Sequence, residues 1–263
     1  MLITRLLLVA LILLAPGPYA RAQPSDTVRL DELTWTELRD LIRAGKSTII
    51  VPIGGTEQNG PHMTLGKHNR RVQVLSEEIA RALGDALVAP VIAYVPEGGV
   101  SPPTAHMRFP GTITVPEETF QKELEYAARS FRLAGFHDIV LLGDHGGYQQ
   151  DEKTVADRLD REWAASPVRV HAIVEYYRAG ESEFAQLLKG KGYQEEAIGS
   201  HAGLADTSLM LATDPSLVRT NRLQPGEGVH GDPSLSNPQL GQLGVDLIVT
   251  RTVEAIRKAV ARR

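Results

Sequence analysis

The chain has 263 residues, 42% of them hydrophobic and 23% charged, with a formal net charge of −4. That balance excludes a disordered or fibrous chain, and the absence of a basic excess argues against a nucleic-acid partner. There is no cysteine, so disulfides, thiolate ligands and cysteine nucleophiles are excluded, and any metal must be held by nitrogen and oxygen.

Residues 1–22 read as a secretory signal peptide: Arg5 supplies the positive start, an apolar run covers 6–15, and Ala20-Arg21-Ala22 offers an A-x-A cleavage site. The run is short for a bilayer span. Cleavage would leave one domain over 23–263, periplasmic or secreted and free of the membrane. Leu30, Leu33, Trp35, Leu38 and Leu41 keep mostly helical spacing, with Thr34 or Thr36 as the cap. Residues 47–53 predict a buried strand. Val72, Leu75, Ile79 and Leu83 mark an amphipathic helix that stops at Gly84. The apolar run 86–94 predicts a second strand, with Pro90 pointing to an edge or a bulge.

A Pro/Gly-rich loop follows over 95–111. Pro116, Glu117 and Glu118 suit a helix start, and Phe120, Leu124, Ala127 and Phe131 form its inner stripe up to Gly135. A third strand is expected over 137–142, then a helix carrying Val155, Leu159 and Trp163, then a fourth strand over 168–174. Beyond it come a helix around 181–189, a helix over 204–212 with Asp206 in its first turn, and a last helix over 240–260. Strand–loop–helix units in this succession predict an α/β fold, a central mostly parallel β-sheet flanked by helices on both faces. In such sheets the loops beyond the carboxyl ends of the strands hold the site.

The chemistry gathers in those loops. Of eight histidines, His62, His68, His106, His145, His201 and His230 lie in Gly/Pro-rich loops, whereas His137 and His171 sit at strand starts and read as structural. For any single loop histidine the ordinary role is a hydrogen-bonded side chain. Several of them past the strands of one sheet, with Glu57 and Asp206, are a set able to bind one or two divalent ions and activate water. Gly146 and Gly147 let backbone approach an ion or substrate, or serve only the turn. No G-x-S-x-G elbow surrounds Ser101 or Thr104, and the phosphate-loop and dinucleotide fingerprints are absent.

These residues resemble the creatininase (creatinine amidohydrolase) family. Pro52-Ile53-Gly54-Gly55-Thr56-Glu57-Gln58-Asn59-Gly60-Pro61-His62-Met63-Thr64 is similar to a strand ending in P-x-G-S/T followed by E-Q-H-G-P-H-L-P. His106-Met107-Arg108-Phe109-Pro110-Gly111-Thr112 resembles H-x-x-F-P-G-T, and Gly143-Asp144-His145-Gly146-Gly147 resembles N-G-H-G-G-N. His201-Ala202-Gly203-Leu204-Ala205-Asp206-Thr207-Ser208 resembles H-A-G-x-x-E-T-S, and Gly228-Val229-His230-Gly231-Asp232-Pro233 resembles G-V-x-G-D-P. The blocks run in the family's order over 48–245.

The resemblance implies a three-layer α/β/α fold and a dinuclear zinc or manganese site. It also implies hydrolysis of a C–N amide bond in a small cyclic or linear substrate, and a homo-oligomer, often a hexamer. Carried over, Glu57 and His145 are metal ligands, His201 and Asp206 are catalytic, and His62, Asn59, His106 and Gly147 line the substrate or support the ligands. Two positions depart from the pattern: Asn59 stands where the family has a histidine ligand, and His68 stands where it has a bridging aspartate. Asp206 is one methylene shorter than the family's glutamate. One reading rebuilds the site on Glu57, His68 and His145 around a single Zn²⁺ or Mn²⁺, activating water for amide hydrolysis. The other leaves a degenerate site, in a binding protein or in a hydrolase of lactones or esters.

Overall fold

The computed structural model describes residues 26–261; the expected signal peptide lies outside them. Helix α1 (Trp35–Arg43) starts at Thr34, whose hydroxyl accepts from the Glu37 N–H while the Glu37 carboxylate accepts from the Thr34 N–H. This capping box satisfies two backbone donors that the first turn leaves open. Strand β1 (Thr48–Ile53) is fully buried. Helix α2 (Lys67–Leu83) begins more than a turn before the apolar stripe that Val72 opens, so Lys67, His68 and Arg71 are buried on its first turns. Strand β2 (Ala86–Val88) is shorter than the apolar run 86–94 predicts. Pro90 has no N–H to continue a ladder; after Ala89 donates to the Ile50 carbonyl, the chain rejoins β1 where Ile92 bridges to Ile53. On the outer side of β2, the Val28 carbonyl accepts the Val88 N–H at 2.8 Å.

Helix α3 (Glu117–Ala134) buries Phe120, Leu124 and Ala128, so its inner stripe passes through Ala128 and leaves Ala127 at the margin. Strand β3 (Asp138–Gly143) leads through a short turn into α4 (Gln149–Glu162). Strand β4 (Arg169–Ala172) is shortened at its end because the chain turns into α5 (Val174–Arg178). Then come α6 (Phe184–Gly190), α7 (Glu195–Ile198) and α8 (Leu204–Thr213). Asn237 caps the final helix, α9 (Pro238–Val260), by accepting from the Leu240 N–H at 2.9 Å.

The strands lie in the order β2-β1-β3-β4, every pair parallel. Alternation along each strand divides the core in two. Ile49, Val51, Ile53, Ile139 and Leu141 pack beneath α1, α3 and α4. Ile50, Val140 and Leu142 pack against α2, α5, α8 and α9. The predicted three-layer arrangement is therefore present. On that second face α8 and α9 cross closely: a Cβ on Gly241 would overlap the Ser208 carbonyl. Chain order reverses at β1, which has β2 on one side and β3 on the other. The crevice beyond the carboxyl ends at such a reversal is where an open α/β sheet takes its ligand.

Candidate metal centre

Glu57 lies in that crevice, just past β1, and is 0% exposed. The Tyr148 hydroxyl donates to the Ile53 and Gly54 carbonyls at 2.9 and 2.5 Å, tying the end of β1 to the loop past β3. Gly55 has φ 148°, and a side chain there would strike the Glu97 carboxyl. Glycine thus lets the β1 loop and the β2 loop meet. Glu57 Oε1 lies 2.7 Å from His68 Nε2 and 3.7 Å from both Lys67 Nζ and His201 Nδ1. Oε2 faces His106 Nε2 at 3.1 Å and His145 Nε2 at 3.9 Å, and has no hydrogen-bond partner.

Glu97, from the loop after β2, is 3% exposed. Neither of its oxygens has a hydrogen-bond partner, and Oε2 lies 3.9 Å from His145 Nε2. Burial and the neighbouring Glu57 charge push its carboxyl up to about 8. Burial acts on Glu57 as well, but the hydrogen bond from His68 and the positive charges around it hold that carboxyl well below the usual range. The ligand atoms of Glu57, Glu97 and His145 all lie within 4.8 Å of one another, as do those of Glu57, His106 and His201. Burial lowers the three imidazoles: His145 to about 4, His201 to about 3, and His106 in the same direction. Each is neutral near neutrality, the form in which imidazole binds metal.

Gln58 orders two of these rings. Its Oε1 accepts the Gly60 N–H at 2.9 Å, which turns its Nε2 towards His106 Nδ1 at 3.0 Å and His201 Nε2 at 3.1 Å. By these partners His106 carries its proton on Nε2, towards Glu57. His201 Nε2 also lies 3.0 Å from the Gln58 carbonyl, and donation there leaves Nδ1 open to the site. His145 Nδ1 accepts the Gly147 N–H at 3.1 Å, so its Nε2 binds a metal only when that bond is released.

The other expected site residues fall elsewhere. His68, expected as a ligand, has both ring nitrogens engaged, Nε2 by Glu57 and Nδ1 by Asp144 at 2.5 Å. Burial opposes its charge, yet these two carboxylates raise its pKa. It leaves the ligand set because no lone pair is free. Asp206, expected to be catalytic, accepts from Lys67 Nζ at 2.7 Å, from the Ala202 N–H at 2.9 Å and from Arg71. Despite burial, Lys67 and Arg71 hold it ionised, and an acid so held is no proton shuttle. Asn59 donates to the Glu57 and Thr64 carbonyls at 2.9 and 3.1 Å, which shapes the loop, while its buried Oδ1 has no hydrogen-bond partner. His62 is buried and pairs through Nε2 with Thr207 Oγ1 at 2.9 Å. Gly147 supplies the backbone N–H to His145.

Glu97, Lys67 and Arg71 were not singled out from the sequence. The signal for Glu97 was present: Pro96-Glu97-Gly98-Gly99 puts an acid in a Gly/Pro turn past the second strand. Lys67 and Arg71 gave one too, spaced four apart at a helix entry beside His68. Over the centre lies a cavity of about 300 Å³ bounded by Lys67, His106, His145, Tyr177, His201 and His230. The centre can hold a cation in a buried acidic corner and admit a small molecule from above.

The family model described as creatinine amidohydrolase matches residues 31–256. A creatinine amidohydrolase of Pseudomonas putida is 24% identical, over 89% of this chain and 98% of its own. A 3-dehydro-scyllo-inosose hydrolase of Thermotoga maritima is 27% identical, over 73% of this chain and 58% of its own. A manganese creatininase superposes with a TM-score of 0.73 at 23% identity, over 89% of this chain and 99% of its own. A mutant creatininase of the Zn–Zn type superposes with a TM-score of 0.72 at 24% identity, over 90% of this chain and 99% of its own. These solved structures share the fold. The family match spans both cores and every loop that supplies the centre, and the chain belongs to the creatininase family.

Proposed function

We propose that this protein is a creatininase-type amidohydrolase, a metal-dependent hydrolase that cleaves the C–N bond of a small cyclic or linear amide. The observation that carries it is the Glu57–Glu97 pair. Two buried carboxylates crowd one corner beside His145, and three of their oxygens have no partner outside the pair. Buried acceptors left in this way are rare unless a cation satisfies them, so the residues fit a divalent ion. Glu57 and Glu97 would hold it, with His145 joining on release of the Gly147 N–H. The relatives point to Zn²⁺ or Mn²⁺. Bound there, the ion would polarise an amide carbonyl and make water nucleophilic near neutrality.

The chain's own groups do the rest. His201 is held neutral with Nε2 against Gln58 and Nδ1 facing the site, where it can hydrogen-bond a substrate amide; burial keeps it from taking up a second proton. His106, oriented by Gln58 through Nδ1, faces Glu57 Oε2 with its Nε2 at 3.1 Å and walls that side of the corner. The cavity volume suits a small molecule rather than a folded polypeptide.

The deciding experiment measures metal content after loading with Zn²⁺ or Mn²⁺, then screens lactams, cyclic ureas and formamides alongside lactones. Stoichiometric metal with turnover of an amide is expected. A protein that stays metal-free sinks the reading and favours a binding protein. Turnover of lactones alone moves the activity to C–O bonds. We also propose export after cleavage behind residue 22 and assembly into a homo-oligomer, read by the mass of the exported chain and by sedimentation. Among the described residues no helix is long and apolar enough to cross a membrane.

A further inference from the structure

We propose that Lys67 and Arg71 are built-in cations that restrict this centre to one divalent ion, placed in the corner of Glu57, Glu97 and His145. The proposal rests on the metal-dependent reading and specifies its stoichiometry. Lys67 is the first residue of α2 and is 1% exposed. Its Nζ lies between Asp206 Oδ2 at 2.7 Å and Glu57 Oε1 at 3.7 Å. One turn along, the Arg71 guanidinium reaches both oxygens of Asp144, the shortest contact being 2.6 Å, and also pairs with Asp206. Cations at this depth persist only where carboxylates pair with them. Here the pairing consumes one side of the acidic cluster.

The oxygens show the division. Both Asp144 oxygens are engaged, by His68 and Arg71 on one and by Arg71 and the Tyr176 hydroxyl on the other. Both Asp206 oxygens and Glu57 Oε1 are engaged as well. The oxygens left over are Glu57 Oε2 and the two of Glu97, none of which pairs with Lys67 or Arg71. Charge agrees. With Glu97 ionised, Glu57, Glu97, Asp144 and Asp206 against Lys67, Arg71 and the doubly hydrogen-bonded His68 leave one negative charge, too little to hold two divalent ions. A second ion would have to enter beside a fixed ammonium, with no free oxygen to receive it.

Native mass spectrometry and elemental analysis, during titration with Zn²⁺ or Mn²⁺, read the stoichiometry without reference to activity. The wild type is expected to saturate at one ion per chain. Lys67→Met removes the charge and nearly keeps the length, and it should either admit a second ion or bind the first about tenfold tighter, or more, as repulsion is lifted. Lys67→Arg keeps the charge and should match the wild type. Circular dichroism checks the folds, and Lys67→Gln provides the same neutralisation should the methionine variant misfold. Two ions per wild-type chain overturn the proposal, as does a folded neutral variant with wild-type stoichiometry and affinity. A wild type that binds no ion instead removes the metal-dependent reading itself.

Discussion

Glu97 has both carboxylate oxygens buried without a partner, and burial together with Glu57 pushes it up to about 8. In the metal-free protein the folded state therefore holds a proton that the unfolded state, at its ordinary 4.5, releases. The resulting destabilisation is absent below that value, grows as pH rises, and levels off above the folded value. Glu97→Gln should stabilise the metal-free protein at neutral pH by on the order of 2 kcal/mol in chemical denaturation. It should also weaken metal binding by about 10- to 100-fold or more, read by calorimetry. Undiminished affinity would remove Glu97 from the ligand set. Glu152 tests the same physics away from the centre. Burial and Asp151 raise its pKa well above 4.5, and its Oε1 has no partner. Glu152→Gln should flatten the fall in stability above pH 4.5, where one retained proton contributes a slope of about 1.4 kcal/mol per unit. Equal slopes in the two proteins would mean that Glu152 ionises freely. Glu57, His106, His145 and His201 were legible because each sits in a loop of the motif blocks. The engagement of His68 was not, since its partners lie 11 and 76 residues away.

At the scale of elements, the α8–α9 crossing depends on Gly241, where a Cβ would meet the Ser208 carbonyl. Gly241→Val should cost about 1–3 kcal/mol, seen as a lower Tm. Metal affinity should be preserved, because Glu57, Glu97 and His145 lie on loops away from that crossing. An unchanged Tm would mean that the helices can separate without loss. The helices that bury an apolar stripe were readable from periodicity. The start of α2 was not, because Lys67, His68 and Arg71 are buried polar residues that break the stripe. The length of β2 was overestimated because a run of apolar residues does not show where a ladder stops. Pro90 contained that information and suggested an edge, which is where β2 lies.

Across the whole molecule, the centre joins loops that follow three parallel strands: Glu57 after β1, Glu97 after β2 and His145 after β3. An ion held by all three links segments far apart in the chain, so binding should stabilise the folded state globally. At a free-ion concentration a hundredfold above Kd the gain is about 2.7 kcal/mol. Adding a chelator to the loaded protein should therefore lower Tm, and the same chelator should shift Glu97→Gln by about half as much or less. Equal responses would place the ion elsewhere. The three-layer class was legible from the alternation of strands and helices. The order β2-β1-β3-β4, which sets the crevice between β1 and β3, was not, because nothing in one strand's sequence names its neighbours.

The hydrogen bond from Val88 to the Val28 carbonyl has a consequence for handling the protein. β2 is the outermost strand on its side, and the segment holding Val28 and Arg29 lies along it. That segment acts as a seal against strand addition by a second molecule. Trimming the chain beyond Arg29 should leave the metal centre chemically intact but expose a row of unpaired backbone groups. The first sign of damage should then be rising light scattering at high concentration, ahead of any loss of catalysis.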